Sequence, residues 1–163
     1  MELEEFYKQV GGNFEDVKRR LFSEEFIRKF VLKFKDDETF DNLIDAFNKV
    51  DYKEAFRFIH TLKGTSVNLG FDDLYQASCN LTECLREKEN LNDEELEEAG
   101  KLLQIVKDNY QKIIELICSN YKKYVKKGRI LRGICCKFPL KILLCICKEK
   151  KKAKLLKNSD AKP

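Results

Sequence analysis

Asp51-Tyr52-Lys53-Glu54-Ala55-Phe56-Arg57-Phe58-Ile59-His60-Thr61-Leu62-Lys63-Gly64-Thr65-Ser66-Val67-Asn68-Leu69-Gly70 reads as one helix with both ends marked. Asp51 with Glu54 three residues on resembles a capping box, with Asp in the place of Ser or Thr, and Gly70 is placed as the glycine that ends a helix. On a wheel turning about 100° per residue, Ala55, Phe58, Ile59, Leu62, Ser66 and Leu69 gather on one side, which is the side a helix buries. His60 lies about 130° from the centre of that side, so it is expected on the surface and not in a core.

The same grammar extends in both directions. Upstream, Asn13 and Ser23 are placed to cap short helices over about 14–21 and 24–35, the second carrying Phe26, Ile27, Phe30, Val31 and Phe34 at helical spacing. Asp36-Asp37 starts a helix through Phe40, Leu43, Ile44 and Phe47. Downstream, Asp72-Asp73 opens a helix with Leu74, Ala77, Leu81 and Leu85, ending near Lys88. Asn92 with Glu95 opens a long helix through Leu96, Leu102, Leu103, Val106, Tyr110, Ile113, Ile114 and Ile117, its first turn rich in the carboxylates that the helix dipole favours. Two prolines and seven glycines in 163 residues argue against a turn-rich β fold. Short connections between long helices place neighbours antiparallel. The expected fold is therefore all-α: an antiparallel four-helix up-down bundle over about 37–118, with short N-terminal helices and a basic C-terminal extension.

Charge divides the chain. Residues 1–120 carry 17 Lys+Arg and 26 Asp+Glu, a net −9, whereas residues 121–163 carry 15 and 2, a net +13. The expected organisation is a bundle domain over 1–120 and a basic, cysteine-containing extension over 121–163. The acidic start, Met1-Glu2-Leu3-Glu4-Glu5-Phe6, is unlike a secretory signal peptide. The longest apolar stretch, Phe138 to Cys147, is short of the roughly 20 residues that span a bilayer. A cytoplasmic location follows as the expectation, with the seven cysteines mostly reduced.

A chain with a single histidine cannot build a multi-histidine metal site. The surroundings of His60 are what give it meaning. Phe56 lies one turn before it, Gly64 one turn after, Val67 two turns after, and Lys63 within a turn at the edge. Glycine inside a helix costs about 1 kcal/mol relative to alanine, so Gly64 asks for a reason beyond helix stability. A neutral imidazole is a competent nucleophile near pH 7. Phosphorylation of a ring nitrogen would create an anion that the Lys63 ammonium is placed to accompany. Gly64 would remove the side chain that otherwise shields the ring from a partner, and Phe56 and Val67 would form an apolar rim for docking.

His60-Thr61-Leu62-Lys63-Gly64-Thr65-Ser66-Val67-Asn68-Leu69-Gly70 resembles the H-x-L-K-G-x-S/A-x-x-L-G signature of the histidine-phosphotransfer (HPt) domain, matching at His60, Leu62, Lys63, Gly64, Ser66, Leu69 and Gly70. The resemblance covers about residues 13–118. It implies a phosphorelay intermediate in two-component signalling, accepting a phosphoryl group on His60 from an aspartyl phosphate on a receiver domain and passing it to another receiver. It implies Lys63 as the charge partner and Gly64 as the residue that gives access. It implies partners among response-regulator receiver domains or a hybrid histidine kinase. No cofactor is implied for this chain, and no metal; Mg²⁺ belongs to the partner's receiver domain. Some members of the family carry a glutamine 22 residues after the histidine to hydrogen-bond it; Thr82 stands there in this chain. Thr82, Arg86 one turn further and Arg57 are the remaining candidates for partner docking.

No G-x-x-x-x-G-K-S/T loop, G-x-G-x-x-G or kinase ATP-binding motif occurs, so the chain is expected to be a phosphoryl carrier and not a kinase. The alternative from another class is a helical adaptor that binds a signalling partner without phosphotransfer. The extension allows three readings. It is a basic tail without further role, or an interfacial anchor in which lysines flank an apolar segment at the inner membrane face, or a metal site from Cys135, Cys136, Cys145 and Cys147. The cysteine spacing fits zinc poorly, and the lysine run lacks the interleaved aromatics of a nucleic-acid surface, so no nucleic acid is expected. Cys79, Cys84 and Cys118 read as buried apolar residues within helices.

Overall fold

Short polar side chains start the helices where the sequence places them. In the computed structural model, which describes residues 2–126 and the side chains of 2–120, Asn13 Oδ1 accepts from the Asp16 amide at 3.2 Å and Asp51 Oδ1 from the Glu54 amide at 3.0 Å. Asn92 and Glu95 form a reciprocal capping box: the Glu95 amide donates to Asn92 Oδ1 at 2.9 Å and the Asn92 amide to Glu95 Oε2 at 3.0 Å. The helices so delimited are α1 (Leu3–Gln9), α2 (Phe14–Leu21), α3 (Glu24–Phe34), α4 (Thr39–Asn48), α5 (Tyr52–Leu69), α6 (Asp72–Cys84) and α7 (Asp93–Lys126). Among the described residues there is no strand, and the fold is all-α. No helix among them is long and apolar enough to cross a membrane. The readings made for the extension beyond residue 126, including those of Cys135, Cys136, Cys145 and Cys147, lie outside the described residues.

The helices α4, α5, α6 and α7 pack each on the next along the chain. The buried side of α5 consists of Tyr52, Ala55, Ile59, Leu62, Ser66 and Leu69. Phe58, expected on that side, is half-buried at its margin. From α7, Ala99, Val106, Ile113 and Ile117 are buried, the first three a heptad apart. The Phe40 ring of α4 stacks on Tyr110 of α7 at 4.2 Å between centroids.

The N-terminal helices close one end of this bundle. Phe71, in the turn between α5 and α6, is fully buried and meets the rings of Phe6, Tyr7 and Phe34 at 5.1–6.1 Å. Helix α1 was not expected, because three apolar residues in so short a segment become legible only when the core around Phe71 is there to receive them. Arg20 of α2 donates from Nη1 to the Val67 carbonyl at 2.7 Å, an acceptor at the end of α5 that the Gly70 amide also reaches, at 3.2 Å.

Four further details differ from the sequence expectation. Ser23 occupies the N-cap of α3 but its side chain makes no capping bond. Helix α6 stops at Cys84, short of Lys88, and Glu87 turns to a positive φ of 56° soon after. Phe26 and Phe30 follow the helical apolar pattern of α3, yet they are 54% and 41% exposed, because the side that α3 buries is narrower and holds only Ile27, Val31 and Phe34. Cys79, Cys84 and Cys118 are half-buried, not fully enclosed.

Candidate functional site

Helix α5 presents two unlike sides. The buried one anchors it between α4 and α6. On the other, His60 is exposed, as the wheel predicts. The Phe56 ring lies one turn before it, 6.0 Å away between centroids and tilted by 32°. Gly64 is one turn after. A Cβ placed on Gly64 would meet nothing within 4 Å apart from its own helix, so no neighbouring element demands a glycine there. The space beside the imidazole is open to whatever approaches from outside. Val67 continues the same side and is half-buried.

The cations around His60 are not equivalent. Arg57 is exposed and donates to Glu54 Oε1 at 2.7 Å. Arg86 is held by Glu83 through two bonds, Nε to Oε2 at 2.9 Å and Nη2 to Oε1 at 2.7 Å. Lys63 is half-buried and forms no ion pair among the described residues. Glu83 links the two helices electrostatically. The hydrogen bond from Arg86 holds its carboxyl below the usual carboxylate range, and the positive charge of Lys63 on α5 adds to that. Glu83 was not a candidate from sequence, since nothing in the linear order brings position 83 near position 63.

Thr82 departs from the expectation that it faces a partner. It is fully buried, and its hydroxyl donates to the Ser78 carbonyl at 2.6 Å, within its own helix. A hydroxyl so engaged, on the inner side of α6, is not presented to a visiting domain. Ser66 behaves alike: buried, donating to the Leu62 carbonyl at 2.7 Å, it serves the packing of α5. The structure thus gathers Phe56, His60, Lys63, Gly64 and Val67 along one helix side, sets Glu83 on α6 and Arg86 just past its end, and withdraws Thr82.

The arrangement leaves an exposed imidazole, one ammonium within a turn, and an apolar rim. That combination suits an encounter with another protein in which a small anionic group is exchanged. A family model described as the Hpt domain matches residues 34–116, half of the chain and the span from the end of α3 into α7. Neither a curated protein nor a solved structure matches the chain.

Proposed function

The chain belongs to the Hpt domain family, whose members are phosphocarrier modules of two-component phosphorelays, and on that premise we propose that His60 is its phosphoacceptor. The observation that carries this is the exposed imidazole beside a helical glycine whose missing side chain no neighbouring element requires. In the transfer, the lone pair of the unprotonated ring nitrogen attacks phosphorus of a receiver's aspartyl phosphate. The P–N bond forms, the acyl P–O bond breaks, and the aspartate carboxylate leaves. The reverse step onto a second receiver regenerates neutral imidazole.

Lys63 accompanies the phosphoryl oxygens, and Gly64 keeps the approach open. Phe56 and Val67 form the apolar rim, with Arg57 and Arg86 as peripheral contacts. The partner receiver supplies Mg²⁺ and its acidic pocket; this chain carries the phosphoryl group without a nucleotide site of its own. We read α4 to α7 as the antiparallel four-helix bundle, within a carrier domain spanning residues 1–120, with a basic extension over 121–163 that makes at most weak contact with the inner membrane face. The working location is the cytoplasm, where receivers and hybrid kinases present their aspartates.

The test is direct. A purified receiver domain carrying labelled aspartyl phosphate is mixed with the full chain, and protein-bound label is followed for the acid lability of a phosphoramidate bond. Label is expected on the wild type and absent from His60→Gln. Label that persists in His60→Gln would refute the assignment, and receiver binding without any transfer would favour an adaptor.

A further inference from the structure

Three phenylalanines lie outside the core in one stretch of chain. Phe26 and Phe30 are one turn apart on α3 and are 54% and 41% exposed, and Phe22, 90% exposed, lies at the end of α2 just before α3 begins. Phe22 also sits in the left-handed region at φ 56°, an uncommon place for a bulky residue. Soluble proteins rarely leave contiguous aromatic surface without a use for it. Phe30 forms one wall of a groove of about 750 Å³ between α3 and α5, with Leu21, Lys33 and Asp36 on its near side and Thr65 and Asn68 on its far side.

This groove is walled in part by Thr65 and Asn68 of α5, the helix that carries His60. The column His60, Gly64, Asn68 drifts about 40° around the helix with each step of four residues, and its last member is a groove wall. The whole column rises about 12 Å. A standard protein interface covers about 800 Å² of each partner, a disc of about 16 Å radius. A domain seated over His60 therefore reaches the groove without a second binding event. The three phenylalanines precede residue 34, where the family match begins, so the aromatic part of this surface lies outside the matched span.

We propose that Phe22, Phe26 and Phe30, with the α3–α5 groove, are a second docking surface for the receiver domain that exchanges phosphate with His60. The occupant is a receiver presenting an apolar patch with a polar margin, to suit aromatic walls edged by Lys33 and Asp36. The role is partner selection: the surface sets how tightly a receiver is held and leaves the chemistry to His60. The inference rests on the carrier reading given above.

The experiment measures transfer rate against receiver concentration for the full chain, using the receiver domains of the same genome, each loaded from acetyl phosphate with Mg²⁺. The double variant Phe22→Asn, Phe26→Gln keeps residue types suited to the left-handed turn and the helix, and Phe30→Gln is added to make a triple. The triple is expected to raise the receiver concentration for half-maximal transfer by about tenfold or more, as loss of aromatic anchors does. The double is expected to raise it by a smaller factor, and both keep the wild-type rate at saturation. Labelling of His60 by phosphoramidate, a partner-free donor that releases ammonia, stays unchanged in the double. Unaltered concentration dependence in both variants overturns the proposal. So does a wild type that elutes as a dimer, with a double variant that elutes as a monomer of unchanged receiver affinity, since the face is then a contact between copies. Failure of every receiver to label the wild type refutes the carrier reading instead.

Discussion

Gly64 and Gly70 lie six residues apart on one helix and are there for opposite reasons. At Gly70 the backbone takes φ 64°, and a Cβ would come within 2.2 Å of Val17 Cγ2 on α2. The chain turns there so that the Phe71 amide reaches the Ser66 carbonyl at 3.0 Å and the Phe71 ring enters the core. Packing and backbone geometry both require glycine. At Gly64 neither does: the residue is mid-helix, and a Cβ would enter empty space. A glycine that the fold requires explains the fold; one that the fold merely tolerates, next to an exposed imidazole, points outside the molecule. Gly100 of α7 shows that openness alone is insufficient, since it too would meet nothing and stands beside no histidine.

The largest effect is expected at the crowded end. Gly70→Ala combines a left-handed alanine with an overlap against Val17, and about 3 kcal/mol of stability is expected to be lost by urea denaturation. A loss under about 1 kcal/mol would mean that α2 yields easily, and the contrast would weaken. Gly64→Gln comes next. It is expected to leave the denaturation midpoint near that of the wild type and to slow phosphotransfer on the order of 100-fold, the usual consequence of displacing reacting groups by an ångström or so. Gly100→Gln is the matched control and is expected to transfer normally. Equal rates in all three proteins would leave Gly64 without the role argued for it.

Thr82 extends the contrast from α5 to α6. Its hydroxyl is bonded to the Ser78 carbonyl, away from solvent. Thr82→Val removes that bond while keeping the shape, and about 1 kcal/mol of destabilisation is expected with transfer rates unchanged. A slowed transfer at unchanged stability would show that the hydroxyl serves the imidazole after all.

Much of this was legible in the linear sequence. Asp51, Asn92 and Gly70 mark helix ends through bonds made within a few residues, and such local chemistry is what a sequence displays best. His60, Lys63 and Gly64 were legible because one helix carries them all at fixed spacing. What escaped depends on distant partners. Leu3, Phe6 and Tyr7 form α1 only because the core receives them, Phe6 and Tyr7 against Phe71. Phe26 and Phe30 share the periodicity of Ile27 and Val31, and only the width of the cleft that α3 covers separates exposed from buried. The inward turn of Thr82 depends on how α6 is rotated against α5, and no spacing rule reports a rotation. Glu83 entered the site by the same route.

Gly64→Ala is the smallest change and the one whose sign decides most. The methyl group meets no neighbouring element, so the packing contribution is near zero and helix propensity dominates: alanine is favoured over mid-helix glycine by about 0.5–1 kcal/mol. The variant is therefore expected to be more stable than the wild type, with Tm raised by a few degrees, about 4 °C per kcal/mol for a domain of this size. Gly70→Ala, the identical substitution six residues on, is expected to shift Tm downward. Opposite signs from one chemical change on one helix would separate a glycine kept by the fold from a glycine kept for a visitor. A destabilised Gly64→Ala would mean that the space beside His60 is occupied in solution, and the imidazole would then have company that its exposed position does not suggest.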